Sequence, residues 1–412
     1  MKILLLNDYA TPTGGAEILN RDLLNELRQR GHDARLLATS AGINGGEHFA
    51  DYQCLGTVDS SNPLFRAGRL LQVANPSAAF KLQQVLHEFK PDVVHVTLFL
   101  TQLSPAILPL LRNIPSMYYA VWHRAICPTG LKLLPTNVDC TDPFGKACLK
   151  NGCLKVHEWA PLMVQMNLWM RWRSSFDLIA AGSHALKEQL VANGIEPVEV
   201  LWHGVPIRPC RPSLRTPPTV AFAGRLIHEK GVHVLIQSFK KVLASVPDAQ
   251  LIVAGDGPER DQLVRLAEKL GVAERIRFTG LLDRELLESE LQSAWVQVTP
   301  SLCRETFGLV AAEAMMRGTT VIASQAGGLC ELVTPGETGL LVPRNDVAAL
   351  AQAMTSVLVD RELAESMGAK ARAFALQNLS SETYVDKVVQ CFDRLLNEKK
   401  RQDSADREFQ LG

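Results

Sequence analysis

The sequence predicts an α/β protein made of two doubly wound, Rossmann-like domains facing across a cleft. Three observations predict it. The chain has 412 residues, 47% apolar and 21% charged, enough for two domains that each bury an ordinary core. Short apolar or β-branched runs alternate with stretches of helical period, the pattern of a mostly parallel sheet covered by helices on both faces. A proline-rich stretch (Pro206, Pro209, Pro212, Pro217 and Pro218) then breaks the alternation, which restarts after it.

Residues 2–7 read as a first buried strand; the apolar run is too short for a secretory signal. A glycine turn, Pro12-Thr13-Gly14-Gly15, opens a helix in which Leu19, Leu23 and Leu27 recur at four-residue spacing and Gly31 marks the stop. Further strands are expected at 34–39, 92–98, 116–122, 177–181 and 199–202. The stretch 93–111 carries no Asp, Glu, Lys or Arg. Its His95, Gln102, Ser104, Pro105 and Pro109 favour a strand, a loop and a short helix over a membrane span. Residues 158–173 read as an amphipathic helix with Leu162, Met163, Met166, Trp169 and Met170 on one stripe. The stripe is expected to pack on the sheet. A groove for a lipid-linked acceptor, or a peripheral membrane contact helped by Arg171 and Arg173, is the alternative. The domains are set at 1–205 and 219–380, joined by a linker at 206–218.

The second half carries the chemistry. A strand at 220–223 ends in Gly224, and Arg225 and Lys230 fall in the loop before a helix that starts at Val232. Open α/β sheets bind ligands at that end, and a planar fork with a point charge suits a diphosphate. Leu251-Ile252-Val253-Ala254 ends in Gly255, and a third strand closes at Gly327-Gly328. Between them lies Arg304-Glu305-Thr306-Phe307-Gly308-Leu309, followed by an apolar helix containing Glu313. A helix starting near Gly308 would aim its free N–H groups and positive dipole end at an anion. On helical rise alone, Glu305 and Glu313 would stand about 12 Å apart. That is too far to share a proton, and suits two polyol groups of one ligand with phosphates between them. Read alone, the stretch is equally an amphipathic helix with two solvated glutamates.

In this order the motifs Gly224-Arg225-Leu226, Glu229-Lys230-Gly231, Gly255-Asp256-Gly257-Pro258, Glu305 to Glu313, and Gly327-Gly328 with Glu331 resemble the retaining GT-B-fold glycosyltransferases of family 4. The resemblance covers about 220–345 and is looser before it. It implies that Arg225 and Lys230 hold the donor diphosphate. Glu305 would bind hydroxyls of the transferred sugar, the backbone of Phe307, Gly308 and Leu309 would meet phosphate and sugar, and Glu313 would bind the ribose. Gly224 and Gly255 would let the donor approach the backbone, and Gly14 and Gly15 would face its phosphate. His123 would contact the transferring sugar, although Arg124 stands where relatives often carry Asp. The last helix, around 383–396 within 381–412, would cross back to the first domain, leaving a polar tail from 397.

The implied reaction moves a sugar from a nucleotide sugar of UDP or GDP type to an acceptor glycan or lipid-linked saccharide, in envelope polysaccharide or glycoconjugate synthesis. The alternatives are a sugar-nucleotide epimerase or hydrolase on the same scaffold, or a non-catalytic nucleotide-sugar-binding protein. Lys+Arg and Asp+Glu both number 43, so net charge makes no case for nucleic acid. No Asp-x-Asp triplet occurs and protein cations can serve instead, so no metal or cofactor is expected for transfer. The nine cysteines do not form a disulfide scaffold pattern. Cys127, Cys140, Cys148 and Cys153 share one loop-rich insertion and make a weak zinc candidate without close Cys-x2-Cys pairs. A cytoplasmic protein, at most at the inner face of the membrane, is expected.

Overall fold

A computed structural model describes residues 1–11, 14–41, 48–56, 70–215 and 217–411, with side chains to 404. Pro12 and Thr13 of the glycine turn, and Thr216 of the proline-rich stretch, lie outside the described residues. The chain divides into two compact units, Met1–Gly204 with Ser381–Gly412, and Val205–Ser380.

The first unit holds a parallel sheet of β1 (Lys2–Leu6), β2 (Asp33–Thr39), β3 (Tyr52–Cys54), β4 (Val93–Val96), β5 (Ser116–Ala120), β6 (Leu178–Ala181) and β7 (Val198–Val200). Their order across the sheet is β3-β2-β1-β4-β5-β6-β7. The sheet is buried on both faces, which explains why its strands read as apolar runs rather than alternating ones. Leu4 and Leu6 point to one face with Val94, Tyr118 and Trp169; Ile3 and Leu5 point to the other with Leu19, Leu23 and Phe392. The stripe on the helix Val156–Trp172 turns inward: Met166 and Trp169 are fully buried, and Leu162 and Met170 pack against the same core. The stripe therefore packs on the sheet, as expected.

The final helix spans Ser381–Leu411, and its Tyr384, Val385, Val388, Phe392 and Leu395 are buried in the first unit's core. The tail expected to be loose from 397 is therefore helical. Its polarity was read as looseness, but Glu398, Lys399, Lys400 and Arg401 are good helix formers, and Lys399 pairs with Asp403 one turn on. The stretch 93–111 splits into β4 and a 3-10 helix Pro105–Leu111. No described helix is long and apolar enough to cross a membrane.

The second unit holds β8 (Thr219–Ala223), β9 (Gln250–Ala254), β10 (Ile276–Gly280), β11 (Val296–Thr299), β12 (Thr320–Ser324) and β13 (Gly339–Val342). Their order is β10-β9-β8-β11-β12-β13, again all parallel. Its chain order reverses at β8, which places the carboxyl ends of β8 and β11 at the switch point where such sheets take ligands. The proline-rich segment is anchored on this unit: Arg211 Nε donates to the Gly318 carbonyl at 2.8 Å, and Leu214 is buried. Prolines fix the segment's backbone, and this hydrogen bond and buried leucine hold it down.

Candidate functional site

In the second unit β8 delivers Gly224, exposed Arg225 and a 3-10 turn, His228–Lys230, before the helix Val232–Val242. Lys230 Nζ donates to Glu305 Oε1 at 2.6 Å. The Ser301 hydroxyl donates to the same oxygen at 2.5 Å. Burial pushes the Lys230 ammonium down, but Glu305 more than offsets this and holds its pKa above the usual lysine value. Both side chains are still partly open, at 26% and 14% exposure, so a ligand can reach the pair.

Glu305 lies outside the helix. It forms a parallel bridge with Gly327, and its carbonyl accepts from the Gly328 N–H at 2.8 Å. Helical rise therefore does not measure its separation from Glu313, because the helix itself is Leu309–Arg317. Gly308 caps that helix at φ +112°, and a Cβ there would sit 2.6 Å from Leu329 Cδ2. Only glycine suits both constraints. Phe307 beside it is buried and fixes the turn, while Leu309 opens the helix and supplies one of its free N–H groups.

Gly255 closes β9 at φ +138°, where a Cβ would lie 1.9 Å from the Gly224 carbonyl oxygen. Thus two of the predicted glycines meet backbone to backbone, and their closeness serves strand-end packing directly. Glu313 sits elsewhere, on the helix beside Arg284, Arg317, Arg208 and Glu288. Burial raises its pKa, and the first of those arginines opposes the shift most. Arg317 is itself pinned by Glu288, at 2.8 and 3.0 Å, and by Gln297 at 3.2 Å. Sequence reading missed Ser301, although its position four residues before Glu305 was visible. It also missed the Arg208–Arg284–Arg317–Glu288 group, whose members come from three separate segments, Arg284 and Glu288 sharing the helix Arg284–Leu291.

In the first unit, Gly14 is the N-cap of the helix Gly15–Gln29. Its φ of −153° is extended, so conformational freedom is not the reason for glycine there; a Cβ would lie 2.6 Å from the Glu17 carboxylate. His123 begins a 3-10 turn after β5 and is buried, its carbonyl accepting from Ile126 and Cys127. Arg124 is buried too, donating to Gln165 at 3.0 Å, and burial lowers its pKa to about 10. It lines a pocket with Asp8, Thr97, Thr101, Tyr118 and Trp122. Asp8, missed from sequence, accepts from Thr101 N at 2.9 Å, Thr101 Oγ1 at 2.5 Å, and Gln102 N and Leu103 N at 2.8 Å each. Burial raises its pKa in spite of those four donors.

The four cysteines of the insertion gather in one region, where Cys140, Cys148 and Cys127 bear electrostatically on Cys153, and Cys127 and Cys140 on Cys148. All nine cysteines are free of disulfides. Among the described residues, no three of Cys127, Cys140, Cys148 and Cys153 bring their sulfurs within 4.8 Å of one another. Three of the thiols have local partners: Cys127 with Thr129 Oγ1 at 3.2 Å, Cys140 with the Asp142 carbonyl, and Cys153 with the Asn151 carbonyl.

Comparisons with known proteins divide the chain where its contacts do. Residues 13–208 match the model described as Glycosyltransferase Family 4, and 209–374 match Glycosyl transferases group 1. Glycogen synthase of Mycobacterium tuberculosis is 38% identical over 218 residues, 51% of each chain. A GDP-mannose-dependent alpha-(1-6)-phosphatidylinositol monomannoside mannosyltransferase of Mycolicibacterium smegmatis is 36% identical over 167 residues, 39% of this chain and 44% of that one. The chain thus spans about half the length of the curated relatives it matches. Among solved structures, sucrose-phosphate synthase from Thermosynechococcus elongatus superposes with a TM-score of 0.73 at 22% identity, over 96% of this chain and 99% of that one. HepE of Anabaena, solved in complex with UDP and glucose, gives 0.70 at 22% identity over 95% and 99%. These structural likenesses establish the shared two-domain fold.

Proposed function

The chain belongs to the group 1, family 4 glycosyltransferases of GT-B fold, and from that premise we propose that it transfers a hexosyl group from a nucleotide-diphosphate sugar to an acceptor hydroxyl. The observation that supports this reading most is the Lys230–Glu305–Ser301 group set in front of the Gly308-headed helix. The hard part of the reaction is the charge that develops on the departing diphosphate. An ammonium carries three N–H donors, and Lys230 commits one to Glu305 while exposed Arg225 offers a planar fork nearby in the same loop. Those cations and the N–H groups after Gly308 would stabilise the leaving group, each such donor contributing about 3–4 kcal/mol.

Glu305, held by Lys230 and Ser301, would accept hydroxyls of the transferred sugar. Glu313 would take the ribose hydroxyls. Gly224 and Gly255 would bound the donor site, and Gly14, Gly15 and His123 are assigned to the reacting sugar and its phosphate. In this reading the anomeric configuration is retained, no divalent cation takes part in transfer, and the acceptor is a glycan or lipid-linked saccharide. UDP is the first nucleotide to test, since the structural relative HepE is solved with UDP and glucose.

The experiment is a thermal-shift panel of UDP, GDP, ADP and their common sugar conjugates on the wild type and Lys230→Ala. A donor at a hundred times its dissociation constant stabilises by about 2.7 kcal/mol. A shift with one base that the variant loses supports the donor site and names the nucleotide; no shift with any of them overturns it. Activity abolished by EDTA and restored by manganese would overturn the metal-free chemistry separately.

A further inference from the structure

The second unit brings together three ligating side chains that the transfer chemistry does not use. His228 lies in the 3-10 turn after β8, His233 in the first turn of the helix Val232–Val242, and Glu259 at the N-cap of the helix Arg260–Lys269. Among the described residues, theirs are the ligand atoms of three or more His, Cys, Asp or Glu side chains that all lie within 4.8 Å of one another. The imidazole rings face each other, 4.9 Å apart and 7° from parallel. Glu259 Oε1 is 3.5 Å from His228 Nδ1.

We propose that His228, His233 and Glu259 form a binding site for a divalent transition-metal ion of the nickel, cobalt or zinc class. Two ligands on one tetrahedral ion, with bonds of about 2.0–2.1 Å, are separated by about 3.4 Å. The His228–Glu259 spacing of 3.5 Å is already that edge. The second histidine closes the set by a modest ring rotation of His228, which is 48% exposed and has room to turn. Two imidazoles and a carboxylate select borderline transition ions; magnesium and calcium want oxygen ligands. Three protein ligands leave coordination positions open to water or an anion.

Placement gives the site a consequence. Its ligands come from the turn after β8, the first turn of the helix that follows it, and the end of the loop after β9, next to the segments that carry Arg225, Lys230 and Gly255. A bound ion would tie these segments together beside the proposed donor cradle. None of its ligands is assigned to the transfer chemistry, so the site stands or falls apart from that chemistry.

The test is calorimetric titration of the full chain with nickel(II). Four proteins are compared: wild type, His228→Ala, His233→Ala, and a variant with Cys127, Cys140, Cys148 and Cys153 all replaced by serine. One ion per wild-type chain is expected, with binding weakened at least about tenfold in either histidine variant and unchanged in the serine variant. Far-UV circular dichroism and thermal midpoint without metal confirm that the histidine variants are folded. Absence of nickel binding by the wild type, or equal binding by folded histidine variants, overturns the proposal. Loss of binding in the serine variant alone would assign the ion to the thiols and overturn it as well.

Discussion

The two units share a fold and use their polar residues in opposite ways. In the second unit the important groups lie in short loops at strand ends and are partly open: Lys230 and Glu305 are 26% and 14% exposed, and Arg225 is exposed. In the first unit they are sealed. Asp8 is 1% exposed with four donors on its carboxylate, and His95 and His203 are buried outright. The Tyr119 hydroxyl joins this buried set, 2.7 Å from the Leu201 carbonyl and 2.6 Å from His203 Nδ1. Charge left open to solvent can bind and release a ligand. Polarity that is buried and hydrogen-bonded, as at Asp8, instead fixes one backbone arrangement. On the proposed reading the second unit carries the groups for leaving-group chemistry, and the buried hydrogen bonds of the first favour a rigid frame.

The sharpest way to break that contrast is Lys230→Ala. It removes the cation from the open pair and leaves Glu305 partly buried with its charge less compensated. The turnover measured as kcat/KM with the donor identified by thermal shift should fall by about 10²–10³, or 3–4 kcal/mol. Unfolding of the variant should change far less than its activity. Near-normal turnover would show that the open pair is structural, and the comparison would collapse.

Next comes Asp8→Ala, which attacks the sealed unit. Three backbone N–H groups, of Thr101, Gln102 and Leu103, would be left in the interior without their acceptor. An unsatisfied buried donor costs about 1–3 kcal/mol, so urea unfolding should show a loss of at least about 3 kcal/mol. A loss under about 1 kcal/mol would mean that water replaces the carboxylate and that the pocket is not sealed.

How far the sequence foretold each unit follows from the same contrast. Arg225, Lys230, Glu305 and Gly308 were legible because each stands in a short segment that carries its own turn, helix start or charge. Even there, the pairing of Lys230 with Glu305 spans 75 residues of chain, and no local pattern announces it. Asp8 was invisible, since its partners at 101–103 lie 93 to 95 residues away. At the cysteine insertion spacing does place four thiols in one region, but among the described residues no three of their sulfurs lie within 4.8 Å of one another, and Cys127, Cys140 and Cys153 each take a local oxygen partner. The reverse happened with His228, His233 and Glu259, which become neighbours only when β8 and β9 align. β3, a three-residue edge strand, was too short to leave a period in the sequence.

Acid sharpens the comparison further. Burial lowers the pKa of both His95 and His203 to about 3. In the unfolded chain each titrates near 6.5, so between about pH 6.5 and 3 the unfolded state binds more protons than the folded one. Stability is therefore full above pH 6.5 and is lost as the pH falls. One unit below 6.5 the two histidines together account for about 3 kcal/mol. Asp8, raised by burial, acts with the opposite sign as its folded form takes up a proton. The second unit has one histidine that burial shifts down, the half-exposed His233. Hydrogen-exchange protection should thus fall faster in β1, β4 and β5 than in β8, β9 and β11 between pH 7 and 5.5. Equal losses would erase the distinction between sealed and open polarity.

The smallest effect is expected where the final helix meets β7. Arg394 donates to both Glu199 oxygens at 2.8 Å, and the pair is nearly half exposed. A single nitrogen, Nη2, serves both oxygens, and solvent screening holds such exposed pairs to about 0.2–1 kcal/mol. Packing of Val388, Phe392 and Leu395 at the same interface removes far more apolar surface from water. Arg394→Ala should therefore lower stability by less than about 1 kcal/mol, while Phe392→Ala should cost about 3–5 kcal/mol by opening a cavity. If the two substitutions cost the same in urea unfolding, the helix is held by charge, and the first unit is not the apolar frame its core implies.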